Sequence, residues 1–108
     1  MTIQADVAAV AKHFGEDPVL LQAIVEAEGN ILRAVQCSVP SCQTREQALE
    51  ITCRTLNHQR RSYVANAKLT SDFLAYFAKV WAPRGVANDP HDLNANWLDN
   101  VRHLARIA

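Results

Sequence analysis

Hydrophobic residues recur every three or four positions along most of the chain, the spacing that places them on one face of an α-helix. The first such run spans residues 3–14 and is followed by Gly15, a residue type that suits the C-terminal end of a helix. The second follows Asp17 and Pro18, which are typical of an N-cap and a first helical position, and it stops at Gly29. Two successive helices are therefore predicted at the start of the chain.

A short helix and a long helix are predicted next. Asn30 can cap a helix over residues 31–36, and the segment that follows is predicted to be a loop because it contains a proline at position 40. Thr44 and Gln47 match the two ends of a capping box, in which each side chain binds the backbone of the other residue. We expect the long helix to begin there and to continue as far as Tyr63 or beyond.

The C-terminal part of the chain carries two more helical stripes, separated by a loop rich in Gly, Pro, Asn and Asp over residues 83–94. The first stripe consists of Phe73, Leu74, Phe77, Val80 and Trp81, and the second of Leu93, Trp97, Val101 and Leu104. No stretch shows the alternation of a β-strand. The sequence thus predicts an all-α fold, a compact orthogonal bundle of five or six helices, in a single domain over residues 1–108.

The charge balance narrows the range of partners. Lys plus Arg and Asp plus Glu each number 11, so the net charge is zero and no nucleic-acid partner is expected. A local basic cluster on the fourth helix, formed by Arg54, Arg60, Arg61 and Lys68, is expected to be a solvated face. The first residues lack a basic segment followed by an apolar one, and no apolar stretch approaches the roughly 20 residues of a membrane helix. We therefore expect neither a signal peptide nor membrane insertion.

The three cysteines, Cys37, Cys42 and Cys53, lie within one short stretch. Together with His58 they could form a zinc site, but the gaps between them are wider than those of usual structural zinc sites. In an oxidising compartment Cys37 and Cys53 could pair and leave Cys42 over. Burial as small hydrophobic side chains is the favoured interpretation, and neither a metal nor a cofactor is expected.

Two carboxylates, Glu26 and Glu28, lie near the C-terminal end of the second predicted helix. The helix dipole disfavours negative charge there, and partial burial beside apolar residues would help a carboxyl to keep its proton near neutrality. A general acid that protonates a leaving-group oxygen needs this property. Glu28, directly before Gly29, is the better candidate, since Glu26 should face another direction. The alternative is that both are solvated surface carboxylates.

A second informative stretch runs from Trp81 to residue 101 and combines aromatic rings with amides and carboxylates. Flat aromatic faces and amide side chains suit sugar rings, because the former supply apolar contact and the latter hydrogen bonds. The alternative is structural. In it, Asn88 and Asp89 bind their own backbone in turns, Asn94 or Asn96 caps the last helix, and both tryptophans fill the core.

These residues together resemble the lysozyme-like superfamily, in particular small phage-encoded lytic transglycosylase or glucosaminidase-like domains. The resemblance is carried by Glu28-Gly29-Asn30, Trp81-Ala82-Pro83, Asn88-Asp89-Pro90, Trp97 and Asn100-Val101, and it covers the chain from about Asp17 to Leu104. It implies a peptidoglycan-cleaving domain in which Glu28 is the general acid and Asn88 borders the glycan groove. Asp89, Trp81 and Tyr63 are further candidates for binding the glycan.

The expected reaction begins when Glu28 protonates the glycosidic oxygen between N-acetylmuramic acid and N-acetylglucosamine. The same residue would then act as a base towards water or towards the muramic C6 hydroxyl, and the sequence does not choose between them. Asp89 and Asp92 are possible second carboxylates. The expected partner is peptidoglycan, or a phage structural protein if the domain is inactive and serves in assembly. The expected location is a virion, or the cytoplasm until delivery to the cell wall.

Overall fold

The computed structural model of the chain describes residues 3–65, 72–82 and 93–106, and every regular element in these ranges is helical. The α-helices are α1 (Ile3–Phe14), α2 (Pro18–Glu28), α3 (Ile31–Gln36), α4 (Arg45–Ala65), α5 (Phe73–Trp81) and α6 (Trp97–Ala105). A 3-10 turn, Leu93–Asn96, leads into α6. The prediction of an all-α bundle is confirmed for the part of the chain that is described.

Local capping chemistry sets the boundaries of α2 and α3. The side chain of Asp17 accepts a hydrogen bond from the backbone N–H of Val19 at 2.8 Å, and Asn30 caps α3 in the same way through Arg33 at 3.1 Å. Gly29 has a φ of 74°, which turns the chain sharply between the two helices. The predicted helix ends are confirmed, and Glu28 is left as the last residue of α2.

The capping box at the start of α4 is also confirmed. The backbone N–H of Gln47 donates to Oγ1 of Thr44 at 3.1 Å, and the backbone N–H of Thr44 donates to Oε1 of Gln47 at 3.2 Å. The structural alternative names Asn94 or Asn96 as the cap of the last helix. Asn96 occupies the N-cap position of α6, but its side chain makes no capping hydrogen bond, because the preceding 3-10 turn already leads the backbone into the helix.

The core is formed where α4 packs against α1 and α3 and where α2 packs against α6. Its largest fully buried side chains include Leu21, Ile24, Leu49, Leu56, Phe77 and Val101. Leu104 was expected on the apolar face of the last helix, but its side chain is 37% exposed, and Ala105 is the buried residue in the last turn of α6. No helix among the described residues is long and apolar enough to cross a membrane.

One residue of the expected solvated basic face is instead part of an ion pair with a buried carboxylate. The Nε of Arg60, on α4, donates to both carboxylate oxygens of Glu16 at 3.0 and 3.1 Å. The side chain of Glu16 is only 1% exposed, and the Arg60 guanidinium lies 4.5 Å from the centre of the Phe73 ring. Arg60 therefore connects the turn between α1 and α2 to α4 and α5. The sequence analysis missed Glu16, because its partner lies 44 residues away along the chain.

Candidate active site

Glu28 and Glu26 have different surroundings, as the sequence predicted. Glu26 is exposed, and it accepts a hydrogen bond from the side chain of Gln22 at 3.3 Å on the surface of α2. Glu28 is half-buried and turns towards α5 and α6. The alternative in which both are ordinary surface carboxylates therefore does not hold for Glu28.

Two tryptophans donate hydrogen bonds to the same oxygen of Glu28. Nε1 of Trp81, the last residue of α5, lies 2.9 Å from Oε1, and Nε1 of Trp97, the first residue of α6, lies 2.8 Å from it. Both distances are those of well-formed N–H···O hydrogen bonds. The indole nitrogen is a donor only, so the carboxyl oxygen is the acceptor in both. The ends of α2 and α5 and the start of α6 therefore meet at one carboxyl group.

The two tryptophans pack on a shared apolar ring. Phe77, which is fully buried, stacks on Trp81 with ring centres 5.7 Å apart and planes inclined by 19°, and its ring centre lies 6.0 Å from that of Trp97. Trp97 is 6% exposed, which fits the core-filling interpretation of this residue, whereas Trp81 is half-buried. One side of the Glu28 carboxyl is therefore bounded by aromatic surface that is only partly accessible.

The helix ends explain why these residues meet. α2 and α6 run in opposite directions. Glu28 at the end of α2 contacts Trp97 at the start of α6, whereas Val19 from the start of α2 and Leu104 from the end of α6 line one depression.

Asp72 caps α5 by accepting a hydrogen bond from the N–H of Leu74 at 2.9 Å, and it also forms an ion pair with Arg102 of α6. Polar contacts therefore connect α5 and α6 both through the Asp72–Arg102 pair and through the Glu28 carboxyl.

Tyr63 lies at the far end of a row of aromatic rings that leads to Trp81. Its ring is 5.7 Å from Phe73 and 5.5 Å from Tyr76, and Phe73 is 6.1 Å from Phe77. The described contacts of Tyr63 are thus packing contacts, with two rings between it and Trp81.

Several sequence-predicted residues lie outside the described part of the chain. They include Asn88 and Asp89, proposed to bind the glycan, and the possible second carboxylate Asp92. Their positions relative to Glu28 stay predictions.

The cysteines do not form the zinc site that their spacing could allow. Within the described ranges no group of three or more His, Cys, Asp and Glu side chains could hold a metal ion, and all of Cys37, Cys42, Cys53 and His58 lie in those ranges. Cys37 is exposed, whereas Cys42 and Cys53 are buried, and all three are free thiols. Burial, and to a smaller extent the charge of Glu16, raises the pKa of Cys53 to about 12.

A shallow apolar depression of about 310 Å³ lies between α1, α2 and α6. Val7, Val19 and Leu104 contribute to its wall, and Glu26 lies at its edge. Glu28 is not among its lining residues, so this depression is separate from the cluster formed by Glu28, Trp81 and Trp97.

Comparison of the chain with protein-family models, with curated proteins and with solved structures found no match. The sequence named Glu28 and both tryptophans and left the rings as either sugar platforms or core residues, but it did not predict their hydrogen bonds to Glu28. A signal for these bonds exists, since the N–H of a tryptophan in a core usually requires an acceptor.

Proposed function

We propose that this chain is a peptidoglycan-cleaving glycosidase of the lysozyme or lytic transglycosylase type, with Glu28 as its general acid and base. One observation carries the proposal. Glu28 is half-buried and hydrogen-bonded to Trp81 and Trp97. These three residues are far apart in the sequence but form one cluster, and all three belong to the motifs that carry the family resemblance. A carboxyl group held in a fixed orientation beside aromatic surface suits proton transfer to a bound sugar.

In the proposed reaction Glu28 acts twice, first as an acid and then as a base. Glu28 donates its proton to the glycosidic oxygen as the bond from that oxygen to the anomeric carbon breaks, and the bonding electrons stay with the oxygen. Positive charge then develops on the remaining sugar. The oxygen of water or of the muramic C6 hydroxyl bonds to the anomeric carbon, and the Glu28 carboxylate takes the proton of that attacking group, which restores the acid. Attack by water gives a reducing end, and attack by the muramic C6 hydroxyl gives an anhydro end.

The glycan is proposed to contact the exposed part of Trp81. One face of that ring stacks on Phe77, and its partial exposure leaves apolar surface close to the Glu28 carboxyl. Aromatic surface of this kind binds the apolar face of a sugar ring. Asn88 and Asp89 are proposed to supply hydrogen bonds to the glycan, as the family resemblance implies, and Tyr63 to extend the aromatic surface.

The decisive variant is Glu28→Gln, which preserves the size of the side chain and a carbonyl oxygen for the two indoles but has no acidic proton. The matched control is Glu26→Gln, two residues earlier on the exposed face of α2. Purified cell-wall sacculi are incubated with each protein, and the released fragments are analysed by mass spectrometry. We expect Glu28→Gln to lower the rate of fragment release by about 10²–10⁴-fold and Glu26→Gln to retain it. Unchanged release by a folded Glu28→Gln protein would refute the proposed role.

A second candidate function is a helical module that binds glycan or protein without cleaving it. The same hydrogen bonds favour it, because a carboxyl that joins three helix ends has a structural reason to be present. The assay separates the two functions. Sedimentation of the protein with sacculi, without new reducing or anhydro ends, would support the binding module, whereas release of such ends supports the glycosidase.

A further inference from the structure

The two indoles contact only one of the two oxygens of Glu28. Both donate to Oε1, at 2.9 and 2.8 Å, and neither is bonded to Oε2. In a protonated carboxyl group one oxygen is a carbonyl acceptor and the other carries the proton as a donor. Two donors that converge on Oε1 favour the form in which Oε1 is the carbonyl oxygen. The proton of the neutral acid is then on Oε2.

We propose that Trp81 and Trp97 are positioning residues that direct the proton of Glu28 to Oε2 and hold that oxygen in a fixed orientation. This inference rests on the proposed function, since it assigns the oxygen from which the glycosidic oxygen is protonated. When Oε2 gives up its proton, negative charge spreads over both oxygens, and the two N–H groups are already in place to stabilise the share on Oε1. The indoles therefore assist proton transfer without touching the reacting atoms.

The two rings differ in burial, and only Trp81 is exposed enough to have a second role. Trp97 is 6% exposed and has almost no surface for a substrate, so its effect on the reaction should pass through Glu28 alone. Trp81 is half-buried and also belongs to the proposed glycan surface. Loss of the Trp97 donor should accordingly lower kcat and leave KM nearly unchanged, whereas truncation of the Trp81 ring should change both.

The cleanest perturbation removes the donors and keeps the rings. The chain contains two tryptophans, so growth of a tryptophan-requiring host on 3-benzothienylalanine, in which sulfur replaces the indole N–H, removes both donors at once. Trp97→Phe removes only the Trp97 donor and leaves the Trp81 donor in place, although it also makes the ring smaller. Initial rates on soluble peptidoglycan strands give kcat and KM for each protein, and circular dichroism with thermal unfolding shows that each is folded.

We expect kcat to fall by about 10–100-fold in the benzothienyl protein, with KM changed by less than about threefold. An unchanged kcat would overturn the positioning role while the proposed function stands, provided that Glu28→Gln is inactive. An active Glu28→Gln protein would instead overturn the proposed function. The two failures are therefore distinct.

A second measurement needs no activity and covers the case in which a tryptophan variant fails to fold. In a ¹H–¹⁵N correlation spectrum each of the two tryptophans contributes one indole signal. Glu28→Ala should move both indole proton signals upfield, because each loses its acceptor, and Glu26→Ala should move neither. If Glu28→Ala left both indole signals in place, the hydrogen bonds and the inference would be excluded.

Discussion

Replacing Arg60 by alanine should destabilise the fold far more than the same change at the adjacent Arg61. Arg60 forms an ion pair with Glu16, and the side chain of Glu16 is only 1% exposed. Arg61 is exposed to solvent. Removing one partner of a fully buried ion pair costs about 3–5 kcal/mol, and removing one of a surface pair costs about 0–1 kcal/mol. The Arg60 side chain is 42% exposed, so solvent screens the pair and places its cost between these limits.

The expected cost is about 2–4 kcal/mol. This range includes about 0.5–1 kcal/mol for the contact of the guanidinium with the Phe73 ring, 4.5 Å away. For a chain of 108 residues each kcal/mol corresponds to a change in Tm of about 4 °C, so Arg60→Ala should lower Tm by about 8–16 °C. Arg61→Ala should lower it by less than about 2 °C.

The assay is thermal and urea unfolding, followed by circular dichroism, of the two single variants and of a cycle that combines Glu16→Gln with Arg60→Met. The double variant should lose less stability than the two single changes together, with a coupling energy of about 1–2 kcal/mol, because Arg60→Met alone leaves the buried Glu16 carboxylate without its partner. Equal losses for Arg60→Ala and Arg61→Ala, or a coupling energy near zero, would refute the assignment of this pair as a buried anchor.

Three further predictions concern the thiols and a turn. In the native protein Cys37 should react rapidly with a thiol-specific reagent, whereas Cys42 and Cys53 should react only as the chain unfolds. Rapid reaction of all three thiols in the native protein would contradict the burial of Cys42 and Cys53. Burial raises the pKa of Cys53 from 9.0 to about 12, so the folded chain keeps a proton that the unfolded chain loses. The free energy of unfolding should therefore fall above about pH 9, and this group should contribute up to about 1.4 kcal/mol per pH unit to the fall. Urea unfolding at several pH values measures the slope, and Cys53→Ala should remove the contribution of this thiol. Gly29→Ala should cost about 1–3 kcal/mol through backbone strain alone, since φ is 74° and, apart from Gly29 and its two chain neighbours, no described residue has an atom within 4 Å of the added Cβ. An unchanged Tm would refute this prediction.

The helix boundaries could be predicted because the interactions that set them are local. Asp17, Asn30 and Thr44 each cap a helix through a backbone N–H two or three residues away, and the sequence shows both partners side by side. The last turn of α6 was harder to predict. Leu104 continues the apolar spacing, but it lies near the helix end and its side chain is exposed, since the core there is closed by Ala105.

The contacts of the site could be predicted only in part, because they join distant positions. Glu28 lies 53 residues from Trp81 and 69 from Trp97, and spacing along one helix carries no information about such pairs. The sequence resemblance named all three residues, yet it did not indicate that the rings donate to the carboxyl. The Glu16–Arg60 pair had no such guide, and a glutamate before a helix cap is by default expected at the surface.

The position of Glu28 also bears on how its variants should be interpreted. Trp81 and Trp97 flank the segment that contains Asn88 and Asp89, and both bind one oxygen of Glu28. Glu28→Ala would remove the acceptor of both indole N–H groups, so a loss of activity in this variant would not distinguish lost chemistry from altered structure. Glu28→Gln keeps an acceptor for both indoles and removes only the acidic proton. Agreement between the stabilities of wild type and Glu28→Gln, together with loss of cleavage, would therefore attribute the loss to proton transfer.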